Sequence, residues 1–154
     1  MNNVNNNIDR ISQEIQERFN RSRNIFLFGF PEYDSDDMTE RNIIAMLNNM
    51  NINSNDIQIR RVGRINAGRP RLVIVTLHSR AEVLKVLRNC KALPPGVRAN
   101  EDKTKTQRDQ YNELKREVEE HNVNNPRELW RIKYINGSPK IVLASNPNIQ
   151  PKNQ

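Results

Sequence analysis

Asn24-Ile25-Phe26-Leu27-Phe28-Gly29-Phe30-Pro31 is the stretch on which the fold turns. Its aromatic and branched residues favour extended backbone, and Gly29 and Pro31 close it, so a buried strand is expected from Asn24 to Phe30. Alternation along a strand sends Ile25 and Leu27 to one face and Phe26 and Phe28 to the other. If the first pair meets a helical layer, the second pair lies on a face with no helix.

Downstream of this strand the acidic residues Glu32, Asp34, Asp36 and Asp37 lead into a helical pattern. Asp37 and Glu40 stand at the N-cap and N3 spacing of a capping box, and the helix they open runs to about Met50 with Ile43, Leu47 and Met50 on one face. Asn51 to Asn55 is a loop and Ile57 to Val62 a second strand. Gly63 to Pro70 is a Gly- and Arg-bearing loop before a third strand, Leu72 to Leu77. Ser79 and Glu82 form a second capping box, whose helix extends to about Lys91 with Val83, Leu87 and Cys90 turned inward. Pro94-Pro95-Gly96 is a turn, and Val97 to Asn100 a short fourth strand. Strand-helix-strand-strand-helix-strand over residues 22–101 is the split βαβ, or ferredoxin-like, order: an antiparallel sheet with two helices on one face and the other face free.

The flanks differ in character. Residues 1–20 are polar except for Val4, Ile8, Ile11, Ile15 and Phe19, which recur at near-heptad spacing and predict a helix carrying a short coiled-coil seam. A helix of that length is marginal alone in water, so it is either a frayed end or a seam that needs a partner, another copy or the following domain. A small C-terminal domain spans 102–145. Thr104 and Gln107 make a third capping box, opening a helix to about His121 with a narrow stripe of Tyr111, Leu114 and Val118. Lys105, Arg108, Asn112 and Lys115 line an adjoining face. Leu129 to Ile135 and Ser138 to Leu143 flank Asn136-Gly137, which predicts a hairpin with a type I′ turn. That register sets Trp130 opposite Leu143, Ile132 opposite Ile141 and Tyr134 opposite Pro139 on an apolar face. Lys133 then opposes Lys140 on the other face, beside Arg131; like charges so placed destabilise a hairpin, and a polyanion lying on them relieves the repulsion. A charged, solvated face is the alternative. Residues 146–154 are polar and Pro-bearing and are expected to be disordered.

The whole is thus expected to be α+β: a short N-terminal helix, a ferredoxin-like βαββαβ domain and a helix-plus-hairpin domain. A hydrophobic fraction of 35% is low for one large core and suits two small lobes. The longest apolar run, Leu72 to Val75, is far too short to span a bilayer, and no membrane association is expected. The first residues are Asn-rich without an apolar h-region, so no secretory signal is expected. Cys90 is the single cysteine, which excludes an intrachain disulfide and a cysteine-cluster zinc site, and a reducing, intracellular setting follows as the default.

The 25 Lys+Arg against 18 Asp+Glu leave a formal charge of +7, which matters only through its placement. Arg60, Arg61, Arg64, Arg69 and Arg71 fall between Ile57 and Leu72 with no acidic residue among them. Arginine there suits bidentate phosphate contacts and stacking on bases. Arg21 and Arg23 precede the first strand and could lie nearby. The alternative for the cluster is a solvated loop. No catalytic set emerges. Asp34, Asp36 and Asp37 could in principle hold Mg²⁺ in a nuclease, but an acidic helix start that favours the macrodipole explains them. His78 and His121 have no Ser or Cys partner at a recognisable spacing, and no Gly-rich phosphate loop occurs. Neither enzyme activity, metal nor cofactor is expected.

The order of these motifs resembles that of a known family. Asn24-Ile25-Phe26-Leu27-Phe28-Gly29-Phe30-Pro31-Glu32 is similar to the first strand of the RRM-like domain in the first-open-reading-frame proteins of LINE-type (non-LTR) retrotransposons, a strand that ends in Gly-x-Pro-Glu. The likeness continues through Arg61-Val62-Gly63-Arg64, Arg69-Pro70-Arg71-Leu72-Val73-Ile74-Val75, Gln107-Arg108-Asp109-Gln110-Tyr111-Asn112-Glu113-Leu114-Lys115 and the Asn136-Gly137 hairpin, covering about residues 20–143. The resemblance implies a trimeric, non-enzymatic RNA chaperone that binds single strands with little sequence preference and coats the element's transcript in a cytoplasmic or nuclear ribonucleoprotein. Single-stranded DNA is a second ligand to consider. It implies self-association through the N-terminal helix and a basic cleft between the RRM-like and C-terminal domains. Arg61, Arg64 and Arg108 match the family's binding arginines, and Tyr134 its hairpin aromatic. The expected nucleic-acid-binding residues are therefore Arg60, Arg61, Arg64, Arg69, Arg71, Lys105, Arg108, Lys115, Arg131, Lys133, Tyr134 and Lys140. An RRM stacks bases on aromatics of its first and third strands, but here the third strand offers only Leu72 and Ile74. Weak stacking on the sheet is expected, with Phe26 and Phe28 open to a base or to another covering element. The alternative function is an RRM-like module that binds a protein through its apolar open face.

Overall fold

A computed structural model describes residues 2–144, so the tail expected to be disordered, 146–154, lies outside the described residues. The described residues form two compact units, divided between Thr104 and Lys105. The class is α+β: a leading helix, a four-stranded antiparallel sheet with its helices, then a helix and a two-stranded hairpin.

The first unit holds α1 (Asn2–Arg21), β1 (Asn24–Phe28), α2 (Asp36–Asn49), β2 (Gln58–Val62), β3 (Leu72–Thr76), α3 (Arg80–Arg88), a short 3₁₀ turn (Cys90–Ala92) and β4 (Arg98–Glu101). The sheet order is β2-β3-β1-β4, every neighbouring pair antiparallel. Ile25 pairs with Val75 and Leu27 with Val73, and all four are buried on the face that meets Ile43, Met46 and Leu47 of α2 and Val83 and Val86 of α3. Each such side chain contributes about 1.5–3 kcal/mol on burial, so this single layer contact dominates the stability of the unit. Phe26 and Phe28, on the opposite face, are half-buried, as alternation required.

Gly29 ends β1 for a steric reason. Its φ is +76°, and a Cβ there would stand 2.4 Å from the Gly96 carbonyl oxygen. Only glycine allows the chain after β1 to pass that close to the turn before β4.

Several expected boundaries shift. Ser35, not Asp37, is the N-cap of α2, and its side chain makes no cap hydrogen bond; Asp36 and Asp37 occupy the first turn, where carboxylates favour the helix dipole. Ser79 does cap α3, accepting from the Glu82 amide, while the Glu82 carboxylate reaches back to the His78 amide. α3 ends at Arg88, so Cys90 falls in the 3₁₀ turn and is exposed rather than buried; Val86 takes the inward place beside Val83. β4 begins at Arg98, one residue later than expected.

α1 is not a loose end. Thr104 Oγ1, 1% exposed, donates to Glu14 Oε1 at 2.7 Å, and Arg21 reaches Asp102 at 3.3 Å. The helix is thus tied down through charged and polar residues, while Val4, Ile8, Ile11, Ile15 and Phe19 remain exposed.

The second unit comprises α4 (Lys105–Asn124), β5 (Leu129–Ile135) and β6 (Ser138–Ala144). The hairpin register is the expected one, with Trp130 opposite Leu143, Ile132 opposite Ile141 and Lys133 opposite Lys140. Asn136 at φ 51° and Gly137 at φ 77° supply the two left-handed residues of a type I′ turn. Asn122 fastens the hairpin to α4: its Nδ2 donates to the Trp130 carbonyl at 3.0 Å and its Oδ1 accepts from the Trp130 amide at 2.7 Å. The His121 ring stacks on Trp130 at 5.2 Å. Tyr111, Leu114 and Val118 are only half-buried, and no described residue of α4 is fully buried.

Candidate nucleic-acid interface

Adjacent arginines on β2 point opposite ways. Arg61 pairs with Val73 and so turns to the helical side; Arg60 pairs with Ile74 and turns to the open side.

The Arg61 side chain is 3% exposed, and its donors are spent inside the fold. Nη1 donates to the Phe30 carbonyl at 3.1 Å and the Arg71 carbonyl at 3.2 Å, while Nη2 donates to the Pro31 carbonyl and to Thr39 Oγ1. Glu32 lies 3.4 Å from its Nε. Burial pushes the Arg61 guanidinium below its ordinary pKa, countered by the Glu32 charge. Arg71 clamps Glu32 by a fork: its backbone N–H and Nε both donate to Oε1 at 2.9 Å, and Nη2 donates to Oε2 at 3.1 Å. These hydrogen bonds hold the Glu32 carboxyl down to about 2, and the same contact raises Arg71. Two of the five loop arginines therefore lock the segment after β1 onto the start of β3. A pocket of about 220 Å³ beside them is walled by Asp36 and Glu40 as well as by Arg60, Arg61 and Arg71, a mixed lining that does not single out an anion.

Arg60, Arg64 and Arg69 are different. All three are exposed, and none makes an ion pair or side-chain hydrogen bond among the described residues. The turn between β2 and β3 is shaped locally: Asn66 Oδ1 accepts from the Gly68 amide at 3.1 Å, and Asn66 and Arg69 form an isolated bridge. This tip carries Arg64, the 77% exposed Ile65 and Arg69.

Arg98 joins this set, although the loop-centred reading of the sequence missed it. It pairs with Phe28 at the outer strand, is exposed, and sits 6.0 Å from the Phe28 ring centroid. The signal was available: Val97 is apolar and inward, so alternation in the expected fourth strand puts Arg98 outward.

The second unit carries the remaining expected residues. Lys105, Arg108 and Lys115 lie exposed along α4, with Lys105 paired to Asp109 and Lys115 at 4.0 Å from Glu119. Such exposed pairs are weak and exchange readily for phosphate. On the hairpin Arg131, Lys133 and Lys140 share one face and are exposed, while Tyr134 lies on the other face, 48% exposed. Val142 and Ala144, half-buried and buried, interrupt the basic face, so its charge concentrates near the turn.

Among the described residues no group of three His, Cys, Asp or Glu is placed to hold a metal ion. No helix among them is long and apolar enough to cross a membrane. No protein-family model matches the chain, and no curated protein matches it.

Proposed function

We propose that the chain is a sequence-tolerant single-stranded RNA-binding protein of the first-open-reading-frame type found in LINE-type retrotransposons. In this reading an RRM-like unit and a C-terminal helix–hairpin unit coat the element's transcript in a ribonucleoprotein and act as a nucleic-acid chaperone without enzymatic activity. What supports the fold half is the order β2-β3-β1-β4 with two helices on one face, the arrangement that a split βαβ chain generates. What carries the functional half is one observation: Arg60, Arg64, Arg69 and Arg98 are exposed and have no carboxylate partner among the described residues, after internal ion pairs have claimed Arg61 and Arg71. Unneutralised guanidinium groups on a strand, its loop and the outer strand suit a phosphate backbone better than a solvated surface, which tends to intersperse both signs.

Self-association is part of the proposal. The α1 stripe Ile8, Ile11 and Ile15 is 56%, 61% and 63% exposed although the helix is anchored through Glu14 and Arg21. A second and third copy of α1 would bury it as a coiled-coil seam. Ile8→Asp with Ile15→Asp should convert the assembly to a monomer in sedimentation without lowering the melting temperature of the first unit. An unchanged sedimentation coefficient would remove this part of the reading.

The test of binding is a filter-binding titration with single-stranded RNA at two salt concentrations. Affinity should fall with a slope of about −0.7 per phosphate neutralised, and Arg64→Ala with Arg69→Ala should make the slope shallower by about 1.4. A binding constant indifferent to salt would sink the proposal. Magnesium-dependent cleavage of the RNA in the same tubes would replace it with a nuclease.

A further inference from the structure

β2 is an edge of the four-stranded sheet, with β3 as its neighbour. A strand paired on one side turns the N–H and C=O of alternate residues outward. Among the described residues no backbone hydrogen bond takes up those groups of Gln58–Val62. Native sheets blunt such an edge with a proline, a bulge or an inward charge. β2 has no proline, and its register with β3 runs unbroken from Gln58–Thr76 to Val62–Leu72. Its inward charge is Arg61, whose head group is held by the carbonyls of Phe30, after β1, and Arg71, before β3. Beside this edge lies a pocket of about 220 Å³, walled by Ile59, Arg60 and Arg61 of β2 and by Asp36 and Glu40 of α2. Pockets for cofactor-sized ligands start at about 300 Å³, so this one suits a single long side chain. Its charges divide across the strand. On the helical side Arg61 and Arg71 are both turned to Glu32, and Arg71 reaches Asp36 only at 3.8 Å. Glu40 has no ion pair among the described residues, so three carboxylates, Glu32, Asp36 and Glu40, stand around two guanidinium groups. On the open side Arg60 is exposed and meets no carboxylate among the described residues.

We propose that the β2 edge docks an extended peptide of a partner protein, which adds as a further strand and alternates acidic and basic side chains. An acidic residue lies beside Arg60 on the open side, and a lysine or arginine on the helical side enters the pocket between Asp36 and Glu40. Main-chain hydrogen bonds to the outward groups of β2 supply affinity, and the two-residue period of the incoming strand supplies the selection. The half-buried Ile59 carries the aliphatic stem of the basic residue while its charged head meets the carboxylates. A nucleic acid strand satisfies Arg60 but is repelled by the carboxylate excess across the strand. A second copy of β2 would set arginine against arginine. An alternating peptide answers both sides at once. The site is the edge of the sheet and not its open face. It is independent of the proposed RNA binding except at Arg60, which a peptide carboxylate and a phosphate would both use.

The probe is a peptide capped at both ends, Val-Thr-Lys-Glu-Lys-Thr-Val, added to the wild-type chain while amide exchange is followed residue by residue by nuclear magnetic resonance. At saturating peptide the outward amides of Gln58–Val62 should exchange about tenfold more slowly, with no comparable change in β4 at the other edge. A peptide with the same side chains and every backbone nitrogen methylated keeps the charges and loses the donors, and it should give no protection. Glu40→Lys, at an exposed position, should bind the unmethylated peptide about fivefold more weakly, the range of an exposed ion pair. A melting curve followed by circular dichroism verifies that this variant folds. No protection of β2, equal binding of the methylated peptide, or an unchanged affinity in Glu40→Lys overturns the proposal. Protection of β2 by an oligouridylate, with none from the peptide, would give this edge to nucleic acid and overturn it as well. None of these outcomes bears on the salt dependence of RNA binding, so the two proposals fail separately.

Discussion

The helical side and the open side of the four-stranded sheet use the same residue for opposite ends. On the helical side Arg61 spends its donors on three backbone carbonyls, Thr39 and Glu32, and Arg71 grips Glu32 by three hydrogen bonds. On the open side Arg60 and Arg98 meet no carboxylate among the described residues. One step along β2 separates a guanidinium that holds the fold from one that is available to a ligand. Charge alone is therefore a poor guide to a binding site; what distinguishes the two regions is whether the donors are already satisfied.

The largest expected effect lies on the helical side. Arg61→Ala removes the donors that join the Phe30, Pro31 and Arg71 carbonyls to Thr39 and leaves Glu32 with one cation fewer, and should destabilise the first unit by about 3 kcal/mol in urea denaturation. If Arg61→Ala left stability intact while RNA affinity collapsed, the two sides would have been assigned the wrong way round.

Glu32 comes next, and it makes the comparison pH-dependent. Its carboxyl is held down from 4.5 to about 2 by Arg71, so the folded state binds that proton less readily than the unfolded chain. Its contribution is complete above the unfolded value of 4.5 and is lost as pH falls toward 2. Glu32→Gln should melt a few degrees below wild type at pH 7, and the gap should close over that acid window. A gap that stays constant with pH would mean the Glu32–Arg71 fork contributes through shape rather than charge. RNA binding at neutral pH should not distinguish the two proteins once both are folded.

Arg60→Ala probes the open side. With no ion pair or side-chain hydrogen bond to lose among the described residues, it should change stability by less than about 0.5 kcal/mol. It should make the salt dependence of RNA binding shallower by about 0.7. The pair Arg60→Ala and Arg61→Ala thus tests the comparison on two neighbouring residues, with stability and salt slope as separate readouts.

How much of this was legible in the sequence depends on the range of the interaction. Strand alternation is local, so the inward Ile25 and Leu27 and the outward Phe26 and Phe28 were readable, as were the Asn136-Gly137 turn and the register it fixes across Lys133 and Lys140. Arg61 was not, because the carbonyls it satisfies belong to Phe30 and Pro31, about thirty residues away in sequence, which is also why it was grouped with the phosphate-binding arginines. Arg98 needed both the parity of β4 and its pairing to β1, only the first of which is written locally. Cys90 was misplaced because the apolar period runs on past Arg88 while the backbone tightens into a 3₁₀ turn ahead of Pro94 and Pro95, where a proline cannot continue the helix. The polar anchoring of α1 through Glu14 and Arg21 was hidden for the same reason as Arg61: its partners Thr104 and Asp102 are far along the chain.

The smallest predicted effect carries the comparison into the second unit. There Lys133 and Lys140 face each other across the hairpin, exposed, with Arg131 beside them. A fold selected for stability alone has no reason to keep like charges directly opposed, since each such pair costs a few tenths of a kcal/mol. Lys140→Glu turns the repulsion into a cross-strand ion pair. The hairpin amides should exchange more slowly with solvent deuterium, by a factor of about two to five, a range that corresponds to roughly 0.4–1 kcal/mol of local stability. Because α4 and the hairpin have little fully buried surface, an increment of that size should be visible there, whereas the large core of the first unit would hide it. RNA affinity should move the other way, since one cationic contact is lost and an anion is placed on the same face. Slower exchange together with weaker binding would show that the open charges of this unit are held against the interest of the fold; faster or unchanged exchange would return the hairpin to an ordinary solvated surface.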